Sequence, residues 1–539
     1  MNEELNRNQQ VNAVGINETM GMNGAVNCSQ TVMQQTANTL YDKKIKENFH
    51  IFGMAALLYA CLYAFCMFHN KSGITYVLFV AGSIGFICFG LSKLERKLKK
   101  ESIFYIISMI LLAVSTFCTD DRRIIFFNKT GVFLLTISLL LGLLYDTRQW
   151  NLGKFLGEIT KVCVMSIGEL GRPFVDACWY FKNKLDKKNS KYLYVLLGIA
   201  ITIPLFIVVF LLLVSADAVF RDMSDRIFSN LKIGDWFQIA FMIGFMFLAS
   251  YCVFTYLCKN KIKEEVADAR KLEPLVGIPV AGILTVVYLI FCGIQIVYLF
   301  VGNMQLPEGY TYAEYAREGF FQLLAVSILN LIIVLIGLYF FKPSRVLKGI
   351  LTVMSLCTIV MIAFSAMRML IYIQYYYLTF LRILVLWSLA VLFFIFAGVI
   401  VYIIKEKFPL FRYSMVVVTC LYLGLSFSHP DYWIAKVNIE GSRETRSSFF
   451  MGEEYDDFYF LSRLSADAAP VMVEWAAEKG YDVNCYFLEN VDDEYFDTSA
   501  AYRYLRNLKH RVGDIGIRNF NLSRYLAECE VTIKATEGM

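Results

Sequence analysis

The chain of 539 residues is 57% hydrophobic and 16% aromatic but only 18% charged, where soluble proteins carry about a quarter. That balance excludes a water-soluble fold of this length, whose exterior would need far more polar side chains, and points to an all-α polytopic membrane protein. The net charge of +5 conceals an asymmetry: beyond Pro430 there are 12 Lys/Arg against 20 Asp/Glu, leaving 39 against 26 before it, so the one sizeable soluble portion is acidic and nucleic acid is excluded as a partner.

Residues 1–48 form a leader. Its first forty residues hold 13 Asn or Gln without apolar periodicity, a composition expected to stay disordered. The first apolar run starts only near Phe49 and is long enough to span, so a cleaved secretory signal is not expected. Four spans are expected over 49–145, near 49–68, 73–92, 102–119 and 124–145, because a hydrocarbon core requires about 20 mostly apolar residues.

Residues 146–191 are too charged to span. Leu152, Phe155, Leu156, Ile159 and Val162 nevertheless recur at helical spacing with lysines on the opposite face. Two readings stay open: a helix lying on the inner membrane surface, or a cytoplasmic helix packed on the bundle.

Seven further spans over 192–429 are expected near 192–214, 236–257, 276–300, 320–341, 350–372, 383–404 and 413–428, making eleven. As one helix, 350–404 would run about 80 Å against roughly 30 Å of hydrocarbon. It must break, and Gln374-Tyr375-Tyr376-Tyr377 is the natural place. With the N-terminus inside, cytoplasmic segments collect 28 Lys/Arg and the opposite loops 8, which orients the chain. The acidic tail then lies outside. Asp120-Asp121-Arg122-Arg123 conflicts with this assignment, and a misassigned early hairpin is the alternative.

The tail, 430–539, has soluble composition and is expected to form a small, mainly helical extracytoplasmic domain. One helix is expected over Val471 to Lys479, stopped by Gly480. Another is expected over Thr498 to His510, with Tyr502, Leu505 and Leu508 on one face. Cys485 and Cys529 are placed to pair if the tail faces an oxidising exterior.

No catalytic residue, metal ligand set or cofactor motif emerges. Most of the 14 cysteines lie singly in apolar runs, no C-x-x-C pair occurs, the four histidines are scattered, and no P-loop, H-E-x-x-H or G-x-S-x-G element is present. Gln295, Asn330, Asn128 and Lys129 are dispersed through the spans, without the paired acids of a proton relay.

Three places carry candidate ligand residues. In the fifth span's terminal Ser215-Ala216-Asp217-Ala218, Asp217 is a polar candidate; the same four residues recur at Ser465 to Ala468, where chance and helix-terminal turns explain both copies. In the loop before the eighth span, Thr311 and Glu314 form a capping-box pattern that would start a helix, and a ligand site made from Glu314, Arg317 and Glu318 is the alternative. The sharpest feature is the junction from Arg368 to Arg382. Arginine at mid-membrane costs about 2.5–3.5 kcal/mol and so faces protein, water or phosphate, less so near a helix end. Arg368 and Tyr372 share a face at i and i+4, and Tyr376, Thr379 and Arg382 complete a polar cluster. It reads as a lipid-headgroup or anionic-ligand contact, or as an arginine bonded to carbonyls of a neighbouring helix.

SADAVF (Ser215–Phe220), YAREGFFQLL (Tyr315–Leu324), the Arg368–Arg382 junction, HPDYWIAKVNI (His429–Ile439), LSRLSADAAP (Leu461–Pro470) and RNFNLSRY (Arg518–Tyr525) occur in this order. Together they resemble the bacterial domain-of-unknown-function family 4153, with its relative 4173, from about residue 190 onward. Tyr377 stands where that family's Y-G-L-T pattern has glycine. The resemblance implies a multi-pass protein of a Gram-positive plasma membrane and no defined activity. The expected role is non-enzymatic: coupling the bundle to the exterior tail in sensing, envelope maintenance or as a partner subunit. The expected partners are the lipid bilayer and a membrane or envelope protein. A transporter or lipid-handling protein is the alternative.

Overall fold

The computed structural model describes residues 41–70, 72–147, 150–184, 233–259, 270–301, 319–445, 459–480, 500–513 and 516–537, with single positions between them. The named elements among these residues are helices, and one isolated parallel bridge joins Leu272 to Phe341. The membrane part comprises α1 (Phe49–Met67), α2 (Thr75–Lys93), α3 (Ser102–Cys118) and α4 (Arg122–Leu144), then α5 (Leu152–Met165), α6 (Arg172–Lys184) and α7 (Ile233–Lys259). It continues through α8 (Pro274–Val301), α9 (Phe320–Phe340), α10 (Arg345–Tyr376), α11 (Phe380–Ile404) and α12 (Leu410–Phe427). Among the described residues nine helices, α1, α2, α4 and α7 to α12, are long and apolar enough to cross a membrane. The 17-residue α3 is shorter, about 25 Å at 1.5 Å per residue. Ten of the eleven expected spans thus appear as helices; the segment 192–214 lies outside the continuously described residues.

Packing mostly follows chain order. Hairpin neighbours α1–α2, α2–α3 and α3–α4 pack together, as do α9–α10, α10–α11 and α11–α12; α7 returns against α1, and α8 against α10. The last span, α12, touches both α3 and α11 and so bridges the two groups. At that seam Asn128 Oδ1 accepts hydrogen bonds from Tyr422 Oη and Ser426 Oγ, both at 2.7 Å, while the Ser115 and Ser426 hydroxyls meet at 2.6 Å. A fully buried asparagine is tolerable in apolar surroundings only when bonded in this way.

The two ends of the bundle differ. At one end Lys99 Nζ donates to the carbonyls of Gly142 and Tyr145 at 2.7 and 2.9 Å. Arg412 meets Glu101 at 2.7 Å there, and Lys348 pairs with Glu406. Here α5 packs Phe155, Ile159 and Val162 into the bundle, with Phe155 4.7 Å from the Phe411 ring, and leaves Leu152 and Leu156 exposed. Helix α6 is fastened by Arg172 to Asp42 and by Asp176, which accepts from Tyr251 Oη at 3.1 Å.

At the other end α12 passes through Ser428 and His429 into α13 (Pro430–Thr445), where proline at the first helical position loses no hydrogen bond. After two short 3-10 turns come α14 (Ala469–Glu478), α15 (Ala500–Val512) and α16 (Leu522–Glu537). Ile434, Leu461, Met472, Val473, Leu505 and Val531 form their common core. Gly480, at φ +77°, follows α14 at the expected helix stop. On α15 the buried face is Ala501, Tyr504, Leu505 and Leu508; Tyr504, not Tyr502, is its buried ring. Cys529 is half-buried, and Cys485 lies outside the described residues.

Candidate functional site

The expected break in the long apolar stretch falls at Tyr377, whose backbone stands at φ +63°, ψ −175°. That region is open to glycine and costs other residues of order 1–3 kcal/mol, so surrounding contacts must hold it. Two sets do. Arg382 Nη1 donates to the carbonyls of Tyr376 and Tyr377, satisfying the end of α10. From the tail, buried Asn438 accepts from Leu378 N at 2.7 Å and donates to Leu378 O at 3.0 Å. The absent side chain of Gly441 leaves room for the Tyr377 ring.

The structure brings part of the predicted cluster together. The Arg382 guanidinium lies 4.4 Å over the Tyr372 ring, and the Tyr372 and Tyr376 rings are 4.8 Å apart. Thr379 precedes α11 and makes no side-chain cap bond. Arg368 is buried and donates through Nη2 to Gln295 Oε1 at 3.2 Å. Gly319, at φ +110°, lies so close that a Cβ would overlap Arg368 Nη1. Helix α9 begins at Phe320 directly after left-handed Gly319, and the Thr311 capping box lies outside the described residues. Glu314, Arg317 and Glu318 lie outside the described residues as well. Asp217 is exposed and accepts from Phe220 N at 2.8 Å, as a local turn.

A second polar centre joins the tail to the membrane hairpins. Asp467 is its hub: Oδ1 accepts from Asp120 N at 2.8 Å and from Ser523 Oγ, while Oδ2 accepts from Thr119 Oγ1 and contacts His429 Nδ1 at 3.2 Å. Asp120 receives Arg524 Nε at 2.7 Å and lies 3.8 Å from Arg511. Arg123 bridges Asp121 and Asp431 with its guanidinium 4.0 Å over the Phe380 ring, and Asp431 Oδ2 accepts from Ser465 N at 2.9 Å. Beside this centre Asn521 Nδ2 donates to Ser72 O and Thr119 O at 3.1 and 3.0 Å. Ile74 N donates to Phe520 O at 2.9 Å, and Arg518 Nη2 to Phe68 O at 2.7 Å.

All four aspartates are buried, and the environments of Asp120 and Asp431 differ from that of Asp467. Burial raises the carboxyls of Asp120 and Asp431, with arginine pairing opposing it only in part. Burial is also the largest influence on Asp467, but its four donors, His429 and Ser523 foremost, together outweigh it and hold the carboxyl below the ordinary value. His429 is raised, first by its bond to Asp467. Among the described residues no group of three or more metal-ligating side chains is suitably placed; the arrangement is a charge-paired lock whose chemistry is hydrogen bonding and ion pairing.

Sequence reasoning assigned no part of this centre to a site. Its signals were present in other guises. The Asp120–Arg123 run that conflicted with the topology is the membrane half of the lock. His429 and Asp431 come from HPDYWIAKVNI, Asp467 from LSRLSADAAP, and Ser523 and Arg524 from RNFNLSRY, so three segments carrying the family resemblance converge here.

Nine membrane-length helices among the described residues, with a helical tail bonded to the loops at one end, define a multi-pass membrane protein. Over residues 106–475 the chain matches the family described as Domain of unknown function (DUF4153), and it belongs to that family. No curated protein and no solved structure matches the chain.

Proposed function

We propose that the protein is a non-enzymatic coupler. Its helix bundle holds the C-terminal helical tail on the extracytoplasmic face of the plasma membrane, and a change at either part is passed to the other in sensing, envelope maintenance or as a partner subunit. The carrying observation is Asp467, a tail residue whose carboxylate is bonded to both Thr119 and Asp120 of a membrane hairpin. The orientation follows the positive-inside pattern: the tail bonds the loops at 68–74, 119–121 and 377–378, all on the lysine-poor side. A membrane or envelope protein is the partner this reading requires. Photo-crosslinking from the exposed tail face in native membranes should capture one discrete partner with Asp467 intact and lose it in Asp467→Asn. Absence of any adduct in both proteins would remove the coupling role.

A second reading, lipid handling or transport, draws on the buried Arg368–Gln295 pair between α10 and α8. Full transport or lipid-transfer activity in Arg368→Ala would dismiss it as a site.

A further inference from the structure

Charge balance around Asp467 sets one of its contacts apart. Asp120 is held by Arg524 and Arg511, and Asp121 shares Arg123 with Asp431. Among the described residues, the cation placed on Asp467 is His429. Three arginines face four carboxylates, so with all four ionised a charged His429 ring balances the junction.

His429 is also the joint through which the last span enters the tail, and its backbone is left-handed at φ +48°. Its side chain is 38% exposed whereas Asp467 is fully buried, so protons reach the histidine while four donors hold the aspartate ionised. We propose that the joint is a proton-sensitive latch: in mildly acidic surroundings charged His429 clamps Asp467 and docks the tail, and in alkaline surroundings loss of that charge loosens it. The proposal rests on the coupling reading and adds its regulation.

A histidine raised by its partner contributes docking energy fully below its ordinary value near 6.5, and that contribution is lost as pH rises through the higher docked value. Asp120 and Asp431, raised by burial, bind protons more tightly when docked and so act in the same direction. Tyr504, which donates to Ser465 O at 2.8 Å, is raised by its burial and keeps its proton across this range. Opposition starts only when pH falls far enough to protonate Asp467.

Hydrogen exchange on the full-length protein in nanodiscs, corrected for intrinsic rates, tests this at the Asp120, Ser465 and Ile74 amides, each of which donates across the junction or within it. From pH 6 to pH 8.5 the wild type should lose protection severalfold, because the docked histidine holds its proton more tightly than the undocked one. His429→Asn, which tolerates the left-handed backbone, should flatten the profile, and His429→Arg should keep the tail docked at pH 8.5. A wild-type profile without pH dependence, or an Asn variant that retains the wild-type slope, overturns the latch. Coupling is judged separately: if Asp467→Asn leaves protection intact at both pH values, the docking reading itself falls.

Discussion

The backbone amide of Asp120 donates to Oδ1 of Asp467 at 2.8 Å across 347 positions of sequence. One carboxylate thereby orders a turn between two membrane helices and the start of the tail's helical core, since Asp467 sits in the 3-10 turn that leads into α14. The tail is held by bonds that cannot slide, because each donor has a fixed direction.

Removing the hub's charge tests how much docking depends on it. Asp467→Ala leaves Thr119, Ser523 and the Asp120 amide without their acceptor, and breaking a buried ionic contact costs about 3–5 kcal/mol. The expected result is proteolysis of the tail at protease levels that spare the wild type, with the α8–α11 helices still protected. Equal resistance in both proteins would show that apolar packing alone holds the tail.

Asn438 is fully buried and makes both of its bonds to one residue, Leu378. Asn438→Ala removes two hydrogen bonds, each worth about 0.5–1.5 kcal/mol, and takes from the half-buried Leu378 amide and carbonyl their partner. Faster exchange of the Leu378 amide is expected, with little change at Asp120; unaltered exchange at Leu378 would contradict the clamp.

Glycine at 377 should be tolerated better than alanine. Tyr377→Ala keeps the unfavourable φ of +63° and loses the ring contact with Gly441, whereas Tyr377→Gly relieves backbone strain of about 1–3 kcal/mol against an entropic cost near 1 kcal/mol. Thermal unfolding in detergent should rank glycine above alanine. The opposite order would show that glycine's entropic cost outweighs the relief of strain at this position.

Gly319→Ala meets two obstacles, a φ of +110° and Arg368 Nη1. Destabilisation by more than about 1 kcal/mol is expected. If Arg368→Gln, tested in the same background, restores part of the loss, the clash is confirmed as one of the two causes; no rescue leaves the backbone as the whole effect.

The membrane helices were legible because lipid imposes one rule on every span, and runs such as 320–340 and 383–404 declare themselves by composition alone. The break at Tyr377 was legible from length, and the contact of Arg382 with Tyr372 from the cost of charge in apolar sequence, whereas the Arg368 bond to Gln295 was not. The conformation holding that break was not, since Asn438 lies 60 residues from Leu378. The lock was hidden for the same reason: Asp120, His429 and Asp467 are individually ordinary, and only tertiary contact makes an acceptor of one and donors of the others. Asp120 and Arg123 even argued against their own hairpin, because charge in a turn between two spans looks costly until its partners arrive from the tail.

Helix α12 touches α3 on one side and α11 on the other, and only Ser428 and His429 separate it from α13. A shift between the two helix groups therefore reaches the tail as a tilt of a single lever. Helix α13, with 16 residues, is about 24 Å long at 1.5 Å per residue, so a rotation of about 5° at His429 carries its far end roughly 2 Å. At Asn438, about 12 Å along the arm, the same rotation amounts to roughly 1 Å, enough to stretch its bonds to Leu378 beyond hydrogen-bonding range, so small rearrangements among the spans are converted into making or breaking discrete contacts along the arm.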